Sequence, residues 1–411
     1  MRNLRIDGTR LWDSLMQLAK IGGTAKGGVA RIALTDLDRQ GRDLFVGWCR
    51  ELGCDIKVDA VGNIFARRKG RRNELAPVMT GSHLDSQPTG GKYDGAYGVM
   101  AGLEVLRSLN DLGIETERPV EVAVWTNEEG ARYAPAMMGS GVYVGKFKLA
   151  DIHNLKDQDN KRFKDELERI GYLGEAPMGG REIAAFFEVH IEQGPILEAE
   201  GKTIGIVKGA QGQRWFDVTV TGQEAHAGPT PMRRRKDALV GASRIVDCVN
   251  RIGLDFQPGA CSTVGHMQVR PNSRNTIPGQ VFFTIDFRHP DDQRLTAMKA
   301  ALEAEAARIC QQIGLTLDLK EIWHQPALLF AERCVQAVRS GAEANGYSAM
   351  EIVSGAGHDA CHIATIAPTG MIFVPCADGI SHNEVESAMP EDLAAGCNVL
   401  LQAIVERANA V

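Results

Sequence analysis

The amino-acid sequence predicts an α/β fold with a smaller ferredoxin-like domain inserted into it. Two observations lead to this prediction: apolar strands alternate with a helix-period stretch early in the chain, and a βαββαβ succession follows. The length of 411 residues corresponds to roughly two or three domains. We therefore expect a discontinuous larger domain over residues 1–211 and 326–411, and an inserted domain over residues 212–325.

Four apolar segments form the predicted sheet of the larger domain. They are Pro77–Gly81, Val120–Trp125, Ala184–Val189 and Met371–Val374. The stretch from Gly95 to Leu112 places apolar side chains on one side at helical spacing and predicts a helix after the first strand. Histidines or polar clusters follow the strands, and an α/β sheet has its active site at such an edge.

Six elements in the order βαββαβ predict the inserted domain. In chain order they are Arg214–Thr221, Arg235–Ile252, Cys261–Arg270, Gln280–His289, Asp291–Ile313 and Thr316–Trp323. Apolar side chains alternate along the strands and recur at helical spacing in the helices. This is the order of a ferredoxin-like domain.

Composition indicates a small-molecule partner. The 46 Lys and Arg against 52 Asp and Glu give a formal net charge of −6, so neither the average charge nor the basic run 233–236 indicates nucleic acid. Apolar runs fall short of the roughly 18 residues that span a bilayer, and charges interrupt the N-terminal segment where a signal peptide is apolar. The nine cysteines never form CxxC. We expect a cytoplasmic protein with mostly buried thiols.

The loop after the first strand contains His83, Asp85 and Asp94. His83 can offer one ring nitrogen to a metal ion while Asp85 accepts a hydrogen bond from the other. Asp94 is placed at the N-cap of the following helix. From these residues alone an alternative stays open, in which Asp94 is only a cap and His83 an ordinary loop histidine.

Two adjacent carboxylates, Glu128 and Glu129, follow the second strand. Such groups at the tip of a buried strand repel each other, which is costly unless a cation neutralises one of them. One would then bind metal and the other would act as a general base. The alternative of two solvated loop glutamates is disfavoured by the apolar strand before them and the glycine after them.

Two histidines, His190 and His382, complete a candidate metal site. The full donor set is His83, Asp94, Glu129, His190 and His382. Nitrogen and oxygen donors without thiolate suit zinc, manganese, cobalt or nickel. Five ligands with one bridging carboxylate would hold two metal ions roughly 3.5–4 Å apart, as in two-metal hydrolases.

Eight motifs carry a resemblance to a known family. In chain order they are GSHLDSQPTGGKYDG, WTNEEG, EVHIEQGP, GQEAHAGPTPM, RPNSRNTIPG, DFRHPD, SGAGHDA and GISHNE. Together they resemble the hydantoinase/carbamoylase branch of the M20 metallopeptidase-like family, from about residue 10 to the C-terminus. Members of that branch are N-carbamoyl-L-amino-acid hydrolases, β-ureidopropionases and allantoate amidohydrolases.

The resemblance implies a mixed-sheet catalytic domain and assigns roles within it. It places metal ligands on the five donors above, with Asp94 as the bridge between two divalent ions per subunit. Glu128 is implied as the general base, with Asp85 behind His83. Gln193 matches a contact to substrate or to the metal surroundings.

For the inserted domain the resemblance implies a lid that also forms a homodimer. His226 matches a histidine that stabilises the developing oxyanion, often from the partner subunit. Asn275 and Arg288 match residues that hold the substrate carboxylate, and Arg214 is assigned to substrate binding with them. An ordinary surface salt bridge stays open for Arg288, which lies on the more polar face of its strand. His358, in SGAGHDA, is given a support role because the ligand set is already complete.

The sequence therefore predicts a metal-dependent amidohydrolase that converts an N-carbamoyl-L-amino acid into the amino acid, carbon dioxide and ammonia. The nearest alternative is allantoate amidohydrolase or β-ureidopropionase activity. Trp215 mildly favours an amino-acid side chain over polar allantoate, because an indole is better used against an apolar group. The ureido-branch motifs disfavour a peptidase, and the intact ligand set disfavours a metal-free binding or scaffold protein.

Overall fold

The computed structural model describes residues 4–410, so residues 1–3 and 411 of the predicted larger domain lie outside the described chain. The helices are α1 (Gly8–Ala19), α2 (Asp36–Glu51), α3 (Ala96–Asp111), α4 (Met138–Tyr143), α5 (Leu149–His153), α6 (Phe163–Arg169), α7 (Ile196–Ala199), α8 (Ala238–Asp255), α9 (Asp292–Ile313), α10 (Glu332–Asn345), α11 (Asp359–Ile363) and α12 (Pro390–Asn409). The strands are β1 (Asp55–Val58), β2 (Ile64–Arg68), β3 (Val78–His83), β4 (Val120–Trp125), β5 (Ala185–Ile191), β6 (Ile204–Ala210), β7 (Gly212–Thr221), β8 (Ala225–His226), β9 (Cys261–Arg270), β10 (Thr276–Ile277), β11 (Gln280–His289), β12 (Thr316–Gln325), β13 (Leu328–Leu329), β14 (Ala349–Ser354) and β15 (Thr369–Val374).

The chain divides into two compact units. One comprises Met1–Gly209 together with Phe330–Val411, and the other is Ala210–Leu329. Within the part of the chain that the structure covers, no helix is long and apolar enough to cross a membrane. The cysteines are free, and all of them except Cys261 are buried.

A mixed sheet forms the centre of the first unit. Its strands run in the order β1-β2-β4-β3-β5-β15-β6, with β14 also paired to β6. The central neighbours β4, β3, β5 and β15 are parallel to one another, and all four are buried along their whole length, as expected in an α/β sheet. The predicted strand Val120–Trp125 has its predicted bounds, whereas the first strand extends beyond Gly81 to His83. The carboxyl ends of these strands therefore meet at one edge.

Helix α3 begins at Ala96, and Gly95 occupies its N-cap without a side-chain hydrogen bond. The prediction that Asp94 caps this helix was wrong. Gly95 has φ 64°, and a Cβ atom there would lie 2.2 Å from Nε2 of His83. The turn therefore uses a glycine for both its left-handed backbone and its close contact with the His83 ring. Consequently the Asp94 carboxylate points to other partners.

The second unit has a four-stranded antiparallel sheet in the order β12-β7-β11-β9. Helices α8 and α9 pack on it, and the core contains alternate residues of β7 and β11, such as Phe216, Val218 and Phe283. The succession β7-α8-β9-β11-α9-β12 is the predicted βαββαβ order. A separate ladder pairs β8 with β10 next to the end of the sheet at which β11 begins.

Candidate metal centre

Two histidines and one carboxylate oxygen form the first group of candidate ligands. Nε2 of His83 lies 3.6 Å, and Nε2 of His190 lies 3.2 Å, from Oδ1 of Asp94. Each Nδ1 lies 2.8 Å from a main-chain carbonyl oxygen, so it carries the proton and donates it there. Nε2 of His190 also accepts from the Gly95 N–H at 3.1 Å. Both Nε2 atoms thus carry the lone pair of their ring, and that of His190 is engaged by the Gly95 N–H.

The second group uses the other oxygen of the same aspartate. Nε2 of His382 lies 3.3 Å from Oδ2 of Asp94 and 3.3 Å from Oε2 of Glu129. Within each group the potential ligand atoms all lie within 4.8 Å of one another. Asp94 is therefore the single carboxylate shared by two three-residue groups, while His382 is the exposed member of the set.

Glu128 lies beside the first group. Its Oε2 is 3.5 Å from Nε2 of His83, and its side chain is almost entirely buried. Burial is the largest cause that raises the pKa of Glu128 well above its ordinary value, and the neighbouring carboxylates of Asp359, Glu129 and Asp85 act in the same direction. A carboxylate with a raised pKa is a better proton acceptor, which suits a general base.

Asp85 holds the carboxylate pair in a way that the sequence did not predict. The carbonyl oxygen of Asp85, and not its carboxylate, accepts from His83, and the nearest carboxylate oxygen is 4.0 Å from Nδ1. The carboxylate instead accepts the backbone N–H groups of Glu128 and Glu129, both at 3.2 Å. The predicted side-chain bond was wrong because these two amides already engage the carboxylate.

Further side chains orient the candidate ligands. Gln193 donates from Nε2 to Oδ2 of Asp94 at 2.9 Å, and Gln87 donates to Oε2 of Glu129 at 2.8 Å. Ser381 and Glu386 also contact the Asp94 segment. The sequence-based reasoning missed Gln87, Ser381 and Glu386. Carboxylate ligands are usually hydrogen-bonded by neighbouring side chains. Gln87 and Ser381 lie inside the motifs quoted above, so the sequence could have indicated them as such donors.

His358 packs against the first group. Its ring centroid is 4.6 Å from that of His190, and its Nε2 has no hydrogen-bond partner. Burial lowers the pKa of His358 well below its ordinary value, so the ring is neutral. The next residue, Asp359, accepts from Ser140 at 2.5 Å. A support role for His358 stays a prediction.

The second unit contains the remaining predicted residues, at two separate places. His226 and Asn275 are brought together by the β8–β10 ladder, in which the Ala227 N–H donates to the Asn275 carbonyl oxygen at 2.9 Å. Arg288 lies at the far end of β11, eight residues after Gln280. At about 3.3 Å per residue this places Arg288 roughly 26 Å from the start of the strand. The structure therefore does not bring Arg288 together with His226 and Asn275 within one unit.

Arg288 and Arg214 have different surroundings. Arg288 donates to Oδ2 of Asp286 at 2.9 Å and is partly exposed. Arg214 is buried, and it donates to Glu321 at 2.8 Å and to Thr296 at 3.1 Å. Its guanidinium is thus used inside the unit, and a substrate role for Arg214 stays a prediction without support from these contacts.

The donor set of the first unit fits divalent metal ions. Four donor residues, His83, His190, Glu129 and His382, surround Asp94. The two oxygens of Asp94 face different groups, and no thiolate is among the five residues of the set. Nitrogen and carboxylate ligands of this kind suit zinc, manganese, cobalt and nickel. The fit rests on the ring nitrogens of three histidines, each of which lies within 3.6 Å of a carboxylate oxygen of Asp94 or Glu129.

Comparison with known proteins identifies the class. The sequence profile described as peptidase family M20/M25/M40 matches residues 79–406, so the chain belongs to that family. An N-carbamoyl-L-amino-acid amidohydrolase of Rhizobium meliloti is 50% identical over 100% of this chain and 98% of its own. The crystal structure of an amidase of the hydantoinase/carbamoylase family from Burkholderia multivorans is 63% identical, with a TM-score of 0.95 and 98% of both chains covered. An allantoate amidohydrolase of Bacillus subtilis is 34% identical over 94% of this chain and 95% of its own.

Within the M20 family, the chain belongs to the hydantoinase/carbamoylase branch. The resemblance read from the eight motifs is thereby confirmed, as is the mixed α/β fold class. Family membership and the donor set together indicate a hydrolase that depends on divalent metal.

Proposed function

We propose that the protein hydrolyses the ureido C–N bond of N-carbamoyl-L-amino acids and releases the amino acid, carbon dioxide and ammonia. The observation that carries the proposal is the position of Asp94 between two groups of ligands, with Glu128 beside one of them. The greater identity to the N-carbamoyl-L-amino-acid amidohydrolase than to the allantoate enzyme supports the choice of substrate.

Two divalent ions per subunit, zinc, manganese, cobalt or nickel, are part of this proposal. His83, His190 and Oδ1 of Asp94 would hold one, and Glu129, His382 and Oδ2 of Asp94 would hold the other. When bound, such ions polarise a carbonyl group and lower the pKa of a water molecule. Glu128 takes the proton of the attacking water and delivers it to the nitrogen that leaves as the C–N bond breaks.

Substrate recognition is proposed to involve two copies of the chain. Arg288 and the pair formed by His226 and Asn275 are too far apart in one unit to contact the same small substrate. One copy would supply Arg288 to the substrate carboxylate, and the other would supply His226 to the oxyanion and Asn275 to the substrate. A homodimer through the second unit meets this requirement. Its edge strand β9 leaves backbone groups available for pairing.

Two tryptophans support an apolar side chain on the substrate. The rings of Trp215 and Trp323 lie 5.8 Å apart on neighbouring strands, and each residue is 40% exposed. In the register of β7 and β11, Trp215 pairs with Asp286. Gln213, two residues earlier and on the same face of β7, pairs with Arg288. An indole pair near a guanidinium suits an apolar amino acid better than polar allantoate.

The test is ammonia release by the metal-loaded protein from a substrate panel. The panel contains N-carbamoyl derivatives of L- and D-amino acids, β-ureidopropionate, allantoate and a dipeptide assayed for free amino acid. We expect the highest kcat/KM with an N-carbamoyl-L-amino acid of apolar side chain. A higher value for allantoate or β-ureidopropionate would replace the proposed substrate, and no turnover with metal bound would favour a binding protein.

A further inference from the structure

Glu386 is a buried carboxylate that contacts the segment leading to Asp94. Its Oε1 accepts the backbone N–H of Tyr93 at 2.9 Å and that of Asp94 at 3.2 Å. Its Oε2 accepts from the hydroxyl group of Ser381 at 3.0 Å. Only 5% of Glu386 is exposed. Both carboxylate oxygens are therefore engaged, one with the main chain around Asp94 and the other with the residue before His382.

Ser381 connects Glu386 to the other face of Asp94. Its hydroxyl oxygen lies 2.9 Å from Oδ2 of Asp94, the oxygen that faces His382 and Glu129. A hydroxyl group has one proton to donate, so Asp94 and Glu386 share Ser381 as a donor. Gln193 reinforces this contact, because its Nε2 lies 2.9 Å from Oδ2 of Asp94 and 3.2 Å from the Ser381 hydroxyl oxygen. The backbone and the side chain of Asp94 are thus both linked to Glu386.

The loop before Asp94 is shaped around the Glu386 carboxyl group. A Cβ atom at Gly91 would lie 2.0 Å from Oε1 and from the carboxyl carbon of Glu386, so any side chain at position 91 would occupy the same space. A buried carboxylate near the Asp94 carboxylate is unfavourable for folding. Glu386 therefore has a cost in stability that an apolar residue would avoid, and its contacts all lead to one metal ligand or its neighbours.

We propose that Glu386 is a positioning residue that holds Asp94 and the His382 segment in register, so that the Asp94–Glu129–His382 group is assembled before it binds metal. The inference rests on the proposed two-metal function. The group formed by His83, His190 and Oδ1 of Asp94 depends on Glu386 less, because its two histidines are fixed by carbonyl oxygens elsewhere. Loss of Glu386 should therefore weaken one of the two metal sites selectively.

The experiment measures metal stoichiometry and affinity, by elemental analysis and by calorimetric titration of the metal-free protein with Zn²⁺. Wild type should bind two ions. Glu386→Ala should bind one ion with nearly unchanged affinity and the second about 10–100-fold more weakly, the usual effect of removing a group that orients a ligand. Glu386→Gln should recover most of this loss, because its amide oxygen can accept from the two N–H groups and its NH₂ group can donate to Ser381.

Glu192→Ala is the matched control. Glu192 is also buried, and its carboxylate accepts two backbone N–H groups, from Ile196 at 2.9 Å and Leu197 at 2.8 Å, without contacting Asp94. It should lower the thermal unfolding temperature and leave two metal ions bound with wild-type affinity. A similar selective loss in this control would show that general destabilisation explains the effect, and would overturn the inference.

Other outcomes separate this inference from the proposed function. If wild type binds two ions and Glu386→Ala binds both with wild-type affinity, Glu386 is only a loop cap and the hydrolase proposal stands. If wild type binds no second ion, the two-metal proposal itself fails. If Glu386→Ala does not fold, Ser381→Ala tests the same link, with a smaller loss expected for the second ion. An unchanged second affinity in Ser381→Ala would then overturn the inference.

Discussion

The candidate metal centre of the first unit and the predicted substrate-binding residues of the second unit differ in how the fold places their side chains. In the first, side chains from positions 83 to 382 meet around one aspartate, with ligand atoms in each group within 4.8 Å. In the second, Asn275 and Arg288 are only thirteen positions apart, yet Asn275 lies next to the end at which β11 begins and Arg288 lies near its other end. Distance along the chain is therefore a poor guide to the site. A single chain contains all five candidate ligands, whereas the proposed substrate contacts near the two ends of β11 would need a second copy.

The largest effect is expected on removal of Asp94 from the candidate metal centre of the first unit. Asp94→Ala should lose both ions and all detectable turnover, because each group loses an oxygen donor. His382→Ala should lose one ion. Asp59→Ala is the control, since Asp59 is a buried carboxylate that binds the backbone of Val61 and Asn63 away from the centre. Elemental analysis showing unchanged stoichiometry in Asp94→Ala would contradict the assignment.

Glu128→Gln should separate chemistry from metal binding at the same place. The amide has nearly the same shape as the acid but cannot accept the proton, so kcat should fall by about 10²–10⁴-fold. Metal content should stay at the wild-type value. Retained turnover, or loss of the ions, would count against Glu128 as the base.

A mixing experiment tests whether His226 of the second unit acts in the other copy of the chain. His226→Ala should reduce kcat by about 10²–10³-fold, the effect of removing one oxyanion donor. Mixed with the Glu128→Gln protein, it should regain about one quarter of wild-type activity, because half of the dimers are mixed and each has one complete site. Subunit exchange is verified by native mass spectrometry. Verified mixed dimers without activity would mean that His226 serves its own copy.

Arg288→Lys tests the far end of the strand. Replacing the planar guanidinium by an ammonium group should lower kcat/KM by about 10–100-fold, in line with about 1.5–3 kcal/mol for a charged hydrogen-bonded contact. For a substrate analogue without the carboxylate, kcat/KM should be nearly the same in wild type and in Arg288→Lys. Arg251→Lys, which alters a surface ion pair with Asp247, is the control. If wild type and Arg288→Lys prefer the carboxylate substrate over the analogue by the same factor, the role of Arg288 is structural.

The smallest effect is expected at the tryptophan pair. Trp215→Ala should lower kcat/KM for aromatic N-carbamoyl amino acids relative to the alanine derivative by roughly 2–10-fold, equivalent to about 0.5–1.5 kcal/mol of ring contact. Ile322→Ala, another exposed apolar residue near Trp323, should leave that ratio unchanged. An unchanged ratio in Trp215→Ala would remove the indole pair from side-chain recognition.

Much of the fold follows from the sequence because its signals are local. Alternation along β11 and the helical spacing in α9 are properties of neighbouring residues, and the structure has these elements within a residue or two of the prediction. The five candidate ligands lie at the carboxyl ends of the strands or in the loops that follow them, so they too could be placed at one edge. The distance between Arg288 and Asn275 could also be predicted from the sequence, because an extended strand has a nearly constant rise per residue.

The hydrogen bonds that orient the candidate ligands could not be predicted from the sequence. Whether the carboxylate or the carbonyl oxygen of Asp85 accepts from His83 depends on the amides of Glu128 and Glu129, more than forty residues further along the chain. Glu386 is linked to Tyr93 across 293 positions, and no pattern near residue 386 indicates that contact. Hydrogen bonds between distant loops need coordinates.

The glycine at position 95 offers a simple way to sort relatives of this protein. A methyl group there would overlap the ring of His83, and the backbone at φ 64° would be strained for any other residue. A chain with this fold and a larger residue at that position must move the histidine away from the aspartate. Surveys of genomes could therefore use this position to separate relatives that can keep His83 beside Asp94 from relatives that cannot.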